Sequence, residues 1–201
     1  ALLDEMGLHG LSRSIVGYNA AITACGKGQH WARAICLLED ARREELQPDK
    51  VSFTALISAC GKGQQWRWAL TYFNEFQRSG DDPGVVLCSA AVSACQKGTR
   101  WSLAISMLQG MKEKGPQPNV ITFNAAMSSC EKGHQWERAL QYLCELKSVG
   151  PRPSEISFNV AISACGVGRR WEGAVALLDE MPQQQLNPSS VSYNSAIGAC
   201  E

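Results

Sequence analysis

The sequence predicts an all-α fold, a solenoid of stacked helix-turn-helix repeats. Tryptophan recurs every 35 residues, at Trp31, Trp66, Trp101, Trp136 and Trp171. Cysteine keeps the same interval of 35 residues, at Cys25, Cys60, Cys95, Cys130, Cys165 and Cys200. Two unlike residue types with one period indicate tandem duplication, and a period of about 20 to 50 residues is typical of solenoids and propellers. Apolar residues at helical spacing within each repeat favour the solenoid.

The repeat boundaries follow from this alignment. Full repeats of 35 residues are predicted over 15–49, 50–84, 85–119, 120–154 and 155–189, with no insertion. Residues 1–14 resemble the end of a repeat, because ALLDEM recurs at Ala176–Met181, and residues 190–201 resemble the beginning of one. We therefore expect one solenoid over 1–201, cut from a longer array, with a lone second helix over 1–14 and a lone first helix over 190–201. Because terminal repeats normally need polar caps, we expect both ends to fray or self-associate.

Each repeat is expected to contain two helices. In the first, apolar residues recur at i, i+3, i+4 and i+7, as at Phe53, Leu56, Ile57 and Cys60, which is the pattern of an amphipathic helix. We expect Gly61 and Gly63 to end this helix, since glycine is common at helix C-termini.

The second helix is predicted to begin near Trp66 and to end near Gly80. Its apolar residues again have helical spacing, at Trp66, Ala69, Leu70, Phe73 and Phe76. Proline then recurs as a stop signal, at Pro48, Pro83, Pro118, Pro153 and Pro188. We expect the tryptophan to be buried on the same face as the alanine three residues later. A platform on which a ligand stacks is the alternative role for the indole.

Composition limits the functional classes. There are 19 basic and 19 acidic residues, and a zero net charge counts against nucleic-acid binding unless the charges are segregated. No apolar stretch is long enough to span a membrane, and no targeting peptide is evident. The three histidines, His9, His30 and His134, are scattered with no nucleophile, metal or phosphate motif. We therefore expect no catalysis and no cofactor within this segment.

Nine cysteines raise the question of disulfides or zinc. Six occur once per repeat and no CxxC or CxxH pair exists. Stacked helices lie about 10 Å apart, whereas a disulfide needs Cα atoms within about 7 Å. We expect the periodic cysteine to be a small buried residue of the first helix, and many free thiols indicate a reducing compartment. Cys36, Cys88 and Cys144 fall outside the period.

The repeat sequences resemble a known family. VGYNAAITAC, VITFNAAMSSC, EISFNVAISAC and SVSYNSAIGAC resemble the opening of the pentatricopeptide repeat, V-x-Y/F-N-x-L-I, and LLEDARREELQPD and LQGMKEKGPQPN resemble its close. The length of 35 residues differs from the 34 of the tetratricopeptide repeat. The resemblance implies a right-handed superhelix that binds single-stranded RNA, one base per repeat. It also implies a role in organellar RNA processing, stability, editing or translation, in the chloroplast or mitochondrion.

The resemblance assigns roles to three positions of each repeat. The fifth residue would face the Watson–Crick edge of a base, at Asn19, Thr54, Ser89, Asn124, Asn159 and Asn194. The last residue would lie beside it, at Asp49, Gly84, Asn119, Ser154 and Ser189. The second residue would wedge between bases, at Val16, Val51, Val86, Ile121, Ile156 and Val191. From residue type alone, Asn, Ser and Asp fit base recognition and also helix capping, so both interpretations stay open.

The family's pairing code then implies an RNA core. Asn with Asp specifies uracil, Thr or Ser with Asn specifies adenine, and Asn with Ser specifies cytosine over uracil. The repeats would therefore bind U-N-A-C/U-C/U, with the 5′ end at the N-terminus. Gly84 offers no side chain, so Thr54 would act alone, and we expect a purine there.

A periodic lysine could contact the phosphates. Lysine recurs at Lys27, Lys62, Lys97 and Lys132, in what we expect to be the loop after the first helix. In the fifth repeat Val167 takes its place, with Arg169 and Arg170 nearby. A solvated loop lysine is the alternative. A protein-interaction scaffold of the tetratricopeptide kind is the rival function, and it predicts no such lysine period.

Overall fold

The computed structural model describes residues 14–148 and 150–200. Within these ranges the chain forms eleven α-helices and no strand. The first helices of the repeats are α1 (Ile15–Lys27), α3 (Lys50–Lys62), α5 (Gly84–Lys97), α7 (Val120–Lys132), α9 (Glu155–Val167) and α11 (Ser190–Cys200). The second helices are α2 (Trp31–Arg43), α4 (Trp66–Arg78), α6 (Trp101–Lys114), α8 (Trp136–Ser148) and α10 (Trp171–Gln183). The helix predicted over 1–14 lies outside the described residues except for Ser14, which caps α1.

The helices fall into two compact units, Ala1–Gly98 and Thr99–Glu201. In the first unit, α1 contacts α3 and α3 contacts α5, so the first helices form one layer. Each second helix packs on its own first helix and on the next one, as α2 does on α1 and α3. Its core includes Ile22, Leu38, Leu56, Ile57 and Phe76.

The second unit has the same two-layer arrangement. Here α7 contacts α9 and α9 contacts α11, while α8 and α10 each pack against two of these first helices. Met127, Cys130 and Leu143 lie in one cluster of its core, and Phe158, Ile162 and Met181 lie in the next. In each unit the fold is therefore an α-solenoid of helical hairpins. No helix in the described ranges combines the length and the apolar character needed to cross a membrane.

The glycines between the two helices have a different role from the one expected. Helix α3 continues through Gly61 to Lys62, and Gly63, at its C-cap, has φ of −78°. The left-handed residue is the following one, Gln64, with φ of 59°. A Cβ atom at Gly63 would lie 2.4 Å from Cδ1 of Trp31 in the preceding repeat. This glycine is thus required for close packing between repeats rather than for backbone freedom.

The periodic tryptophans Trp31, Trp66, Trp101 and Trp136 each pack against a glycine of the next repeat, but the expectation that the periodic tryptophans are buried was wrong. Four are half-buried, and Trp171 is 54% exposed. The alanines three residues later are fully buried, at Ala34, Ala69, Ala104, Ala139 and Ala174. Trp136 lies against Gly168 of the next repeat, and the guanidinium of Arg170 lies 5.1 Å from its ring centroid. The indole at the start of a second helix therefore packs on the turn between the two helices of the next repeat instead of entering the core.

The periodic cysteines are small core residues in four repeats. Cys60, Cys95, Cys130 and Cys165 are fully buried, while Cys25 is half-buried and Cys200 is exposed. All nine cysteines are free thiols. Burial raises the pKa of Cys60, Cys95 and Cys130 to about 11, so these thiols are neutral and unreactive at physiological pH.

Left-handed backbone at Thr99 should lower stability. Its φ is 54°, and this conformation costs roughly 1–2 kcal/mol for a residue with a side chain, most of all for a β-branched one. We expect Thr99→Gly to raise the free energy of unfolding by about 0.5–1 kcal/mol, because glycine removes that strain but gains freedom in the unfolded chain. Chemical denaturation measures this. As a control, Thr71→Gly in the exposed middle of α4 should lower the free energy of unfolding by about 0.3–0.5 kcal/mol. If Thr99→Gly also lowers the free energy of unfolding, the explanation by left-handed backbone strain at Thr99 is wrong.

Candidate nucleic-acid interface

An apolar side chain is exposed at the second residue of every repeat. The exposed fractions are 73% for Val16, 58% for Val51, 63% for Val86, 59% for Ile121, 62% for Ile156 and 57% for Val191. Single exposed aliphatic residues are common. Here they recur at one position of every first helix, and we call them the stacking column. A repeated exposed apolar residue favours a ligand that has apolar faces with the same repeat.

The fifth residue lies beside the stacking column, one turn further along the same helix face. Asn19 and Ser89 are buried, Thr54, Asn124 and Asn159 are half-buried, and Asn194 is exposed. Polar groups therefore lie at the base of the exposed apolar side chains. A flat ligand held by the stacking column would bring its edge to these groups.

The fifth and last residues touch in the repeats over 15–49 and 120–154. The Asn19 Nδ2 donates to Oδ1 of Asp49 at 3.1 Å, and the Asn124 Nδ2 donates to Oγ of Ser154 at 3.3 Å. The last residue also caps the following helix, since Asp49 Oδ1 accepts from the backbone N–H of Ser52 at 2.9 Å. Capping and base recognition are therefore compatible roles for the same side chain.

The carboxyl group of Asp49 is ionised at neutral pH. Burial acts to raise its pKa, but hydrogen bonds from the backbone and side chain of Ser52, the side chain of Asn19 and the backbone of Val51 together lower it. The stabilisation from these bonds is fully present above the ordinary pKa of 3.8 and is lost as the pH falls through the lowered pKa. At neutral pH Asp49 is an acceptor only.

The remaining repeats differ in detail. Thr54 Oγ1 donates to the carbonyl of Lys50 at 2.7 Å, and Gly84 has φ of 64° and no side chain. The Nζ of Lys50 lies 3.4 Å from where a Cβ of Gly84 would be. Asn159 Nδ2 donates to Oε1 of Glu155 at 3.4 Å.

Three further residues predicted to recognise bases, at the fifth or last position of a repeat, form hydrogen bonds with residues close to them in sequence. Ser89 Oγ donates to the carbonyl of Val85 at 2.6 Å. Asn119 caps α7, where its Oδ1 accepts from the N–H of Thr122 at 2.9 Å. Ser189 N donates to Ser192 Oγ at 3.1 Å, at the start of α11.

A set of buried hydroxyls at the third residue was not predicted from the sequence. These third-residue hydroxyls belong to Ser52, Thr122, Ser157 and Ser192, all 0% exposed. Three of them donate to the fifth residue of the preceding repeat: Ser52 to Asn19 Oδ1 at 2.6 Å, Ser157 to Asn124 Oδ1 at 2.7 Å and Ser192 to Asn159 Oδ1 at 2.6 Å. The only signal in the sequence is Ser or Thr at intervals of 35 residues within a first helix.

The periodic lysines are at the ends of the first helices, not in the loop as expected. Lys27, Lys62, Lys97 and Lys132 are the last residues of α1, α3, α5 and α7, and all four are exposed. The negative end of the helix dipole favours a cation there. Within the described residues none of the four forms an ion pair, whereas Lys112–Glu145 and Lys147–Glu180 join consecutive second helices at 2.6 Å.

These terminal lysines also share a helix face with the stacking column. Lys62 lies eleven residues after Val51 on α3. Eleven residues correspond to three helical turns plus about 20°, so the two side chains project in nearly the same direction, about 16 Å apart along the helix axis. A ligand that contacts the stacking column thus has a row of cations further along the same face. The acidic side chains of Glu145 and Glu180, by contrast, pair with lysines of neighbouring second helices, in the other layer.

Family models match most of the chain. A model described as PPR repeat family matches residues 13–62, one described as pentatricopeptide repeat domain matches 71–133, and one described as PPR repeat matches 51–81, 121–151 and 156–186. The chain belongs to the pentatricopeptide repeat family. No curated protein sequence matches this pentatricopeptide repeat chain significantly.

Solved structures of pentatricopeptide repeat proteins have the same fold. The crystal structure of PPR10 from maize is 26% identical with a TM-score of 0.75, and the match covers 98% of this chain and 28% of that one. PPR10 in complex with an 18-nt psaJ RNA element is matched at 22% identity with a TM-score of 0.58, over 98% of this chain and 32% of that one. The PPR domain of Arabidopsis thaliana protein-only RNase P 1, in complex with tRNA, is matched at 14% sequence identity with a TM-score of 0.73, and the match covers 90% of this chain and 95% of that one. The chain therefore spans less than a third of the PPR10 chains.

Proposed function

We propose that this pentatricopeptide repeat chain binds single-stranded RNA with sequence specificity, one base per repeat. The contact between the fifth and last side chains, directly beside an exposed apolar residue, carries the proposal. Bases stack on apolar surfaces and present their edges to polar groups, and each stacked base contributes about 1–3 kcal/mol. PPR10, a protein with the same fold, has been crystallised in complex with an RNA element, which supports the proposal.

The chemistry of the pairs fits particular bases. Uracil presents an N–H between two carbonyl groups, so an ionised Asp49 can accept that N–H while the Asn19 amide donates to a carbonyl. Ser154 is both donor and acceptor, which suits cytosine and uracil alike. With Ser89 and Asn119 on adenine, the proposed core is U-N-A-C/U-C/U, 5′ to 3′ along the chain. A chloroplast or mitochondrial RNA is the proposed target, by analogy with the family.

Filter binding with short synthetic RNAs tests the function. The unaltered chain should bind an RNA containing UGACC more tightly than its complement, and more tightly than the DNA of the same sequence. Affinity should be weak, since five bases offer few contacts. Equal binding of all three, or no binding of any, would contradict the proposal, and binding of peptides instead would favour the protein-interaction scaffold.

The terminal lysines should contribute affinity without specificity. Four phosphate contacts on a single strand give a slope of log K against log salt of about −3, at about −0.7 per contact. We expect Lys62→Ala to make this slope shallower by about 0.7 while base preference is unchanged, because phosphates carry no sequence information. Binding measured across a salt series checks this. Lys114→Ala, which removes an exposed lysine from the end of second helix α6, should leave the slope unchanged. A shift in base preference with Lys62→Ala would refute the assigned role.

A further inference from the structure

Three of the third-residue hydroxyls, those of Ser52, Ser157 and Ser192, bond to the fifth-residue asparagine of the repeat before. Ser157 is fully buried, and its Oγ lies 2.7 Å from Oδ1 of Asn124. The same bond is 2.6 Å from Ser52 to Asn19 and 2.6 Å from Ser192 to Asn159. It is therefore present at every fifth-residue asparagine whose following repeat is described, namely Asn19, Asn124 and Asn159.

The direction of this bond is set at Asn19 by Asp49, which is ionised and accepts only, so that Nδ2 faces Asp49 and Oδ1 faces the Ser52 hydroxyl. A hydroxyl has one proton and two lone pairs. At Asn124, Ser157 Oγ accepts from the backbone N–H of Ser154 at 3.0 Å and donates to Asn124 Oδ1 at 2.7 Å. The Asn124 Nδ2 in turn donates to Ser154 Oγ, and Ser154 Oγ lies 3.1 Å from Ser157 Oγ. The three side chains form a closed ring of hydrogen bonds.

In this ring the amide has one orientation, with Nδ2 towards the last residue and Oδ1 towards the buried hydroxyl. The two ends of an asparagine amide are nearly equal in shape, and a half-turn exchanges donor and acceptor. With Oδ1 held by a buried hydroxyl, Nδ2 remains on the side of the last residue, where the base edge would lie. The amide of Asn19 has the same orientation, with Nδ2 towards Asp49, but there the single Ser52 proton is shared between Asn19 Oδ1 at 2.6 Å and Asp49 Oδ1 at 3.0 Å.

The repeat with threonine in place of asparagine provides a contrast. Thr54 has no amide to orient, and the third residue of the next repeat is Leu87, also fully buried. Thr54 donates to its own helix at Lys50 instead. Helix α5 forms without a hydroxyl at this position, so the hydroxyl is not required for the first helix to fold.

We propose that Ser52, Ser157 and Ser192 are positioning residues for base recognition. Each fixes the donor and acceptor ends of the asparagine in the preceding repeat, and so contributes to which base that repeat selects. This inference rests on the proposed function. It means that the specificity of one repeat depends on a residue of the next.

The test compares three variants of the full chain against four RNAs that differ only at the fourth base of the core. Ser157→Ala should reduce the preference for cytosine over the purines about three- to tenfold, the range expected for one hydrogen bond, with preferences at the other bases unchanged. Ser157→Thr keeps the hydroxyl, as Thr122 does naturally, and should retain the preference. Ser163→Ala is the matched control, because Ser163 also lies on α9 and bonds to the preceding repeat, but at Glu131.

A second measurement follows the amide itself. In the unaltered chain the two side-chain amide protons of Asn124 should give separate NMR signals that exchange slowly with water, and Ser157→Ala should speed that exchange. An equal loss of affinity for all four RNAs, or unchanged amide exchange, would overturn the inference and leave the proposed function standing. An unchanged base preference in Ser157→Ala would also overturn the inference and leave the proposed function standing. If the unaltered chain binds none of the RNAs, the proposed function fails and the inference fails with it.

Discussion

Replacing Gly98 by alanine should destabilise the first unit, because the added methyl group would clash with Trp66 of the preceding repeat. A Cβ at Gly98 would lie 2.4, 2.6 and 2.7 Å from Cδ1, Cγ and Cβ of Trp66. The Trp66 Cβ is attached to the backbone and cannot rotate away. Overpacking of this kind typically costs about 1–3 kcal/mol, and chemical denaturation should show a loss of free energy of unfolding in that range.

The control is the same substitution where there is space. Gly110 lies in helix α6 with no atom within 4 Å of its built Cβ, so Gly110→Ala should raise the free energy of unfolding by up to about 1 kcal/mol. Removing the indole should relieve the two shortest contacts, those with Cδ1 and Cγ. Trp66→Ala and Gly98→Ala together should therefore destabilise less than the sum of the two changes. Additive losses would show that Gly98 serves another purpose.

Contacts within one repeat were predictable from the sequence, and contacts between repeats were not. The start of a second helix at Trp66 follows from apolar spacing and the preceding glycines, which are local signals. The clash that requires glycine at Gly63 involves Trp31 in the preceding repeat. Local rules assign such a glycine to backbone freedom, although the left-handed residue is Gln64. The prediction that the periodic tryptophan is buried was wrong for the same reason, because its packing partner lies in the next repeat.

The candidate site shows the same division. Asn19 and Asp49 could be assigned from the resemblance, whereas their direct contact depends on how the next helix is capped. Ser52 was missed because a serine inside an amphipathic pattern gives no sign of its partner, which lies 33 residues earlier. The terminal lysines were placed in a loop because helix ends are uncertain by one or two residues in sequence.

Exchanging the pair in the fourth repeat should change the base it selects. Guanine presents two adjacent N–H donors, which a carboxylate accepts, and hydrogen bonds to a charged group contribute about 1.5–3 kcal/mol. We therefore expect Asn124→Thr combined with Ser154→Asp to change the fourth preference from cytosine to guanine by about tenfold or more. Binding to four RNAs that differ at that base measures the change, and the uracil preference of the repeat with Asn19 and Asp49 is the internal control. A folded double variant that still prefers cytosine would contradict the assignment.

The most direct test of the central claim is selection of bound sequences from a random single-stranded RNA pool, with crosslinking and sequencing. We predict enrichment of U-N-A-C/U-C/U in one register, with crosslinks in chain order from the 5′ base at the repeat over 15–49 to the 3′ base at the repeat over 155–189. The same pool selected with the Asn124→Thr, Ser154→Asp variant should differ at the fourth base alone. Enrichment of an unrelated sequence, or of none, would contradict base recognition by these paired residues.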